Sequence, residues 1–376
     1  MTRTAETRKR RGAHRRGATL LAPVFRAAVE CRPYNSQANL LRASAPLRLL
    51  AVFSAAVILA SGCGRKAPVA PPPAKREAGF PVVLKDAQGV TVTVERRPQR
   101  IVSLAPTVTE ILFAIGAGDR VVAAADPADY PPEARKLARV GGWFTPSAER
   151  TLGAEPDLVI GSRGNPPDFL NTLRKSGCTV FTVDPATLGD IITTIENIGA
   201  VTGASAGAAA VIAEMKSRLS AVAERVGEVP ESKRPTTFIV IGINPLWTAG
   251  SGTFQDDAIR AAGGRNIASK RKGFTPFSTE SLMATDPTFL LLSTMEGDPD
   301  QMRRDALADP VMKRLTAART NRLLVLEANH IMRPGPRIVD AIEVMAKAFY
   351  PDRFDLSDVA LAKSDSRPSS SATKTR

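Results

Sequence analysis

Between Phe80 and Asp355, short β-branched and aliphatic runs alternate with stretches whose apolar positions recur every three or four residues. That pattern predicts an α/β fold. Val82–Leu84 and Val90–Val94 flank Asp86-Ala87-Gln88-Gly89 and predict a hairpin. Ile101–Leu104 predicts a strand. Thr107-Val108-Thr109-Glu110 has the spacing of a capping box and predicts the start of a helix that Gly116 closes. Leu158–Ile160 and Thr179–Val183 predict two more strands. A second set begins with Phe238–Ile243 and continues through Phe289–Leu292 and Leu323–Leu326. Thr253 is placed to cap a helix that stops at Gly263-Gly264. Near the end, Ile338, Ala341, Ile342, Met345 and Phe349 mark one apolar face of a helix over Arg337–Phe349.

Ser205–Val226 separates the two sets. It is rich in alanine and long side chains, contains no proline, and as one helix would extend roughly 33 Å. A βαβ crossover is usually shorter, so this segment suits a strut between two bodies. The expected architecture is two α/β lobes joined by one long helix, with a ligand cleft between them. An N-terminal lobe over 80–204, a linking helix over 205–228 and a C-terminal lobe over 229–356 follow from that reading. An internal echo supports related lobes: Gly142-Trp143-Phe144-Thr145-Pro146-Ser147-Ala148-Glu149 resembles Gly273-Phe274-Thr275-Pro276-Phe277-Ser278-Thr279-Glu280. Each glutamate falls at a predicted helix N-terminus, where the helix dipole favours it. Each is open to a plain reading as a good helix-starting residue, and to a surface role.

Charge changes the picture less than its total implies. The chain of 376 residues carries a formal +14, but eleven Lys/Arg against Glu6 and Glu30 put +9 of it in residues 1–62. The tail from Leu361 adds +3, which leaves a body of only +2. That field is too weak for a phosphate-backbone footprint, so no nucleic-acid partner is expected. The apolar run Leu49–Ala60 is short for a bilayer span but suits the core of a signal peptide. Ala60-Ser61-Gly62-Cys63 follows it and resembles a bacterial lipobox, with Cys63 as the lipidated residue. A leader and signal peptide over 1–62, a lipidated cysteine with a Pro-rich tether over 63–79, and a disordered tail over 357–376 complete the expected organisation. Removal of Cys31 and lipidation of Cys63 would leave Cys178 as the single thiol, so no intramolecular disulfide is expected. Cys178 opens an apolar stretch and is expected to pack in a core.

The run Arg100-Ile101-Val102-Ser103-Leu104-Ala105-Pro106-Thr107-Val108-Thr109-Glu110-Ile111-Leu112 resembles the opening of the helical-backbone (class III) substrate-binding proteins of ABC importers. Asp129-Tyr130-Pro131-Pro132, Arg163-Gly164-Asn165, Gly242-Ile243-Asn244-Pro245, Thr248-Ala249-Gly250 and Pro336-Arg337-Ile338 are similar to its cobalamin-binding branch, and the similarity spans about residues 82–350. The resemblance implies a lipid-anchored, periplasmic or extracytoplasmic protein that acts as a monomer. It would capture a corrinoid or other large chelate and deliver it to a permease with its ATPase. It also implies that Glu149 and Glu280 dock on permease arginines, and that Tyr130, Trp143 and Phe274 lie against a flat macrocycle, with Trp247 a weaker fourth. Each aromatic is also open to a reading as lobe core. Ser162 stands where the cobalamin branch can carry another tryptophan, and Arg163 follows it.

Asn329-His330-Ile331-Met332-Arg333 is expected to form a loop at the cleft after the strand Leu323–Leu326. His330 there is open to two readings, as a ligand to a bound metal centre or as an ordinary hydrogen-bonding residue. Arg333 is open to two as well: a partner for a ligand amide or carboxylate, or lobe packing. No resident cofactor or metal is expected, because His330 stands alone without a ligand cluster. The alternative within transport is a haem or ferric-siderophore carrier, which basic cleft residues would favour. An enzyme is disfavoured: a hydrolase would need His330 as base, and no Gly-x-Ser-x-Gly element is expected to serve it. Gly116-Ala117-Gly118 follows a predicted helix rather than a strand, so it is not a dinucleotide loop.

Overall fold

The structure, a computed structural model, describes residues 79–243, 245–294 and 299–354. The leader, Cys63, the Pro-rich tether, the tail from 357 and Asn244 lie outside the described residues. The first element is the predicted hairpin of β1 (Val82–Lys85) and β2 (Thr91–Val94). Asp86 organises it. One carboxylate oxygen accepts the Gln88 and Val90 amides at 2.9 and 2.8 Å; the other accepts from Arg174 at 3.1 Å and from the Thr182 hydroxyl at 2.8 Å. The buried acid thus shapes the turn and fastens the hairpin to the first lobe.

That lobe runs through β3 (Ile101–Ser103), α1 (Pro106–Ala114), β4 (Val121–Ala124), β5 (Ala138–Arg139), α2 (Ala148–Gly153), β6 (Leu158–Ser162), α3 (Pro167–Lys175), β7 (Val180–Val183) and α4 (Leu188–Thr202). Its five strands are parallel in the order β5-β4-β3-β6-β7. The chain winds outward from β3 in one direction and then the other, which puts a topological switch point between β3 and β6. Val102, Leu104, Val159, Leu170 and Leu173 form a buried cluster on this sheet, and Cys178 packs partly buried against it. Burial raises the Cys178 thiol pKa, as expected of a thiol in apolar surroundings.

The capping box predicted at Thr107–Glu110 does not form. Helix α1 starts at Pro106, with Ala105 at the cap and no side-chain cap bond. Proline at the first helical turn, where no donor is missed, sets the start earlier. Thr109 instead bonds to the Ala105 carbonyl and the Ser103 hydroxyl, and Glu110 turns to the other lobe.

Helix α5 (Ser205–Val226) has the predicted bounds. Ala208, Ile212, Met215, Val222 and Val226 are its buried stripe. At its start a Cβ on Gly207 would collide with the Ile115 carbonyl, so glycine lets the helix cross the end of α1. The second lobe holds β8 (Thr236–Val240), β9 (Trp247–Ala249), α6 (Phe254–Ala261), β10 (Arg265–Asn266), β11 (Phe274–Pro276), α7 (Thr279–Thr285), β12 (Phe289–Thr294), α8 (Pro299–Ala308), α9 (Thr316–Arg319), β13 (Leu323–Glu327), α10 (Ala328–Ile331) and α11 (Ile338–Phe349). Its main sheet is parallel in the order β10-β8-β12-β13, with a second switch point between β8 and β12. Arg218 of α5 pairs with Asp340 at 2.6 Å and Glu343 at 2.8 Å on α11. Bonding to Glu343 raises its pKa further, so the strut is tied to this lobe by a permanent charge.

Two second-lobe expectations are corrected. Strand β8 ends at Val240, not Ile243, because the chain folds back: the Ile241 and Gly242 amides bond to the Trp247 carbonyl, and the Trp247 amide to the Gly242 carbonyl. Residues Asn329–Arg333 do not form a loop from the start; the turn Ala328–Ile331 is helical, with the Met332 amide donating to the Ala328 carbonyl at 2.7 Å.

Candidate ligand-binding site

In open parallel sheets ligands sit outside the carboxyl ends of the strands, near a switch point. Eight of the nine ligand-contact residues predicted from sequence follow or end strands in this way, Phe274 being the exception. Tyr130 follows β4, Trp143 follows β5, Ser162 ends β6 and Arg163 follows it; Trp247 opens β9 just beyond β8, and Asn329, His330 and Arg333 follow β13.

In the first lobe the aromatic wall is fixed in place. Hydrogen bonding of the Ser147 amide to the Val140 carbonyl at 2.7 Å closes the loop that carries Trp143. The Trp143 indole N–H donates to the Ser162 hydroxyl at 2.8 Å, and its ring lies 4.7 Å from that of Phe144. A Cβ at Gly164 would come within 2.5 Å of the indole, so the glycine is where the ring rests. Buried Asn165 completes the support: it accepts from the Ser162 amide at 2.7 Å and donates to the Leu104 and Trp143 carbonyls at 3.1 and 2.8 Å. One amide thus joins the loops after β3, β5 and β6. Asn165 was not among the predicted site residues, although its place in Arg163-Gly164-Asn165 was the available signal. Arg163 is exposed and 3.8 Å from Asp184, whose carboxyl is raised by burial despite that arginine.

The lobes meet beside Tyr130. Arg333 pairs with Asp129 at 2.7 Å and also donates to the Pro127 carbonyl at 3.3 Å. Arg337 pairs with buried Glu110 at 2.7 Å, and its guanidinium carbon lies 3.7 Å from the centroid of the Tyr130 ring. Burial acts to lower the Arg337 pKa, but the hydrogen bond and charge of Glu110 outweigh it and the net direction is upward. Neither Arg337 nor Glu110 was among the predicted site residues. Their pairing joins residues far apart in the chain and leaves no local spacing to read. His330 faces carboxylates, with Nε2 3.3 Å from Glu327 and 3.9 Å from Asp340. Asn329 donates to Glu327 at 3.4 Å, a long bond.

The second wall is looser. β9 and β11 pair antiparallel, setting Phe274 opposite Ala249 and Pro276 opposite Trp247. Trp247 is half-buried, while Phe274 is 46% exposed. Lys270, Arg271 and Lys272, all exposed, lie two to four residues before it. The two echoed glutamates are exposed, each in the first turn of a short helix whose serine cap, Ser147 or Ser278, accepts a backbone amide.

Among the described residues no group of three His, Cys, Asp or Glu side chains could hold a metal ion. No helix of the described residues is long and apolar enough to cross a membrane. Gly203-Ala204-Ser205-Ala206-Gly207 does have Gly-x-Ser-x-Gly spacing, contrary to expectation, but it joins helices α4 and α5. A nucleophile elbow needs a strand before the serine.

Two parallel-sheet lobes, a helical strut and an aromatic-lined boundary define a substrate-binding protein of the two-lobe type. Residues 101–329 match the family described as periplasmic binding protein, and the chain belongs to that family. A substrate-binding lipoprotein of an ABC transporter from Bacillus subtilis, itself uncharacterised, is 30% identical over 81% of this chain and 96% of its own length. A cobalamin-binding protein of Halobacterium salinarum is 32% identical over 80% of this chain and 84% of its own. Among solved structures, a periplasmic heme-binding protein from Pseudomonas aeruginosa is 30% identical, with a TM-score of 0.62 over 68% of this chain and 93% of that one. The protein is a substrate-binding component of an ABC transporter, not an enzyme.

Proposed function

We propose that this protein captures a corrinoid between its lobes and delivers it to the permease of an importer, held to the membrane through lipid on Cys63. The observation that carries the reading is the anchored indole of Trp143 at a switch point. A large flat surface fixed by Ser162, Gly164 and Asn165 meets a planar guest without losing side-chain freedom. The cobalamin-binding relative supports the ligand class. On this reading Tyr130, Phe274 and Trp247 complete the aromatic contacts, while Ser162 positions Trp143. Arg163, Asn329, His330 and Arg333 form the polar rim, and Glu149 and Glu280 dock on the permease. The protein works as a monomer, with lobes over 80–204 and 229–356 bridged by 205–228.

A second reading, a haem or ferric-siderophore carrier, is favoured by one observation: Lys270, Arg271 and Lys272 beside Phe274 would attract an anionic chelate. A thermal-shift screen with corrinoids, haem and siderophores, followed by calorimetry, tests both. Sub-micromolar corrinoid binding is expected; absent or millimolar corrinoid binding with tight haem binding replaces the first reading by the second.

A further inference from the structure

At the other end of the second-lobe sheet, where its strands begin, a recess of about 720 Å³ is lined by Lys233, Arg234, Arg265, Arg303 and Arg322, with no aspartate or glutamate in its walls. Its volume is that of a small-molecule site. It is separate from the cleft. Thr236, Phe289 and Leu323, which line it, are the first residues of β8, β12 and β13, whereas the cleft lies beyond the last residues of the sheet. A strand of that length sets the two ends roughly 17–20 Å apart.

Several of these cations are positioned. The Arg322 guanidinium lies 5.5 Å from the centroid of the Phe289 ring. Arg303 donates to the Leu323 carbonyl at 3.1 Å, and its buried Nε has no hydrogen-bond partner. Arg234 uses Nε on the Val229 carbonyl at 3.2 Å. Among the described residues, no carboxylate pairs with Lys233, Arg265 or Arg322. Gathering like charges around a recess without a counter-charge is costly, and an anion taken up there relieves the repulsion. Guanidinium groups present paired donors that match the oxygens of a phosphate.

We infer that this recess is an anion site of the phosphate class, distinct from the ligand cleft. Its occupant is either a soluble phosphorylated compound or a phosphate-bearing lipid headgroup. Calorimetric titration of inorganic tripolyphosphate into the full chain with Cys63→Ser tests the site. Saturable binding is expected, about tenfold weaker in Arg265→Gln/Arg322→Gln and weaker also in Lys233→Gln. It should be unchanged in Lys270→Gln/Lys272→Gln, which removes the same charge beside Phe274. Lys233, Arg265 and Arg322 are exposed, so thermal unfolding and cleft-ligand affinity should stay at wild-type values in their variants. Absence of saturable binding, or equal weakening in the two double variants, overturns the proposal. Vesicles of phosphatidylglycerol against phosphatidylcholine then separate the sources. Phosphatidylglycerol binding lost in Arg265→Gln/Arg322→Gln supports the site with a headgroup as occupant. Vesicle binding unaffected while tripolyphosphate binding falls supports it with a soluble one.

Discussion

The two copies of the Gly-aromatic-Thr-Pro-…-Glu segment share their ends and differ in their middles. Both place a serine cap and an exposed glutamate at the start of a short helix. In the first lobe, Trp143 is gripped by a hydroxyl, a glycine face and a neighbouring phenyl ring. In the second, Phe274 lies on a three-residue strand, nearly half exposed. The difference teaches that the repeated element conserves geometry toward the outside, while each lobe builds its own inner wall. Trp143 is held by its neighbours, whereas Phe274 has apolar surface left to bury.

The comparison can be broken at several strengths. The largest effect is expected from Glu149→Ala combined with Glu280→Ala. Uptake into cells should be lost while calorimetric affinity for the cleft ligand stays the same, as the proposed docking role of the two glutamates requires. Uptake at the wild-type rate would show the echo to be only helix chemistry. Next comes the junction of the two walls: Arg337→Ala leaves Glu110 buried without its charge partner and should destabilise the fold by about 3–5 kcal/mol in denaturant unfolding. A loss below about 1 kcal/mol would mean that the lobes do not depend on this pair. Within the walls, Trp143→Ala should weaken ligand binding by more than about 2 kcal/mol. Phe274→Ala should cost less, since its ring must be immobilised on binding. The reverse order would undo the distinction drawn here. The smallest effect belongs to Arg333→Ala. Asp129 is partly exposed, so unfolding free energy should change by no more than about 1 kcal/mol, and less at high salt.

Much of the fold was legible because it is written in local pattern. The bounds of α5, the turn at Asp86, the Thr253 cap and the buried face of α11 depend on neighbours within a few residues. Legibility fell where long-range contacts compete with local chemistry. Thr107 and Glu110 have capping-box spacing, but Pro106 starts the helix earlier and Glu110 bonds to a residue more than two hundred positions away. His330 was placed in a loop and left open between a metal ligand and an ordinary hydrogen-bonding residue. It lies instead in a helical turn against Glu327.

Periodicity, capping residues and glycine placement settled by themselves that this chain makes two α/β halves with a helical strut, because those signals act over one or two turns of backbone. The order of strands brought Trp143, Ser162, Gly164 and Asn165 to one switch point, and only the packed lobes could set Arg337 between Glu110 and Tyr130. Such contacts close long loops. Their existence depends on where the sheets place their carboxyl ends, which no short stretch of sequence encodes.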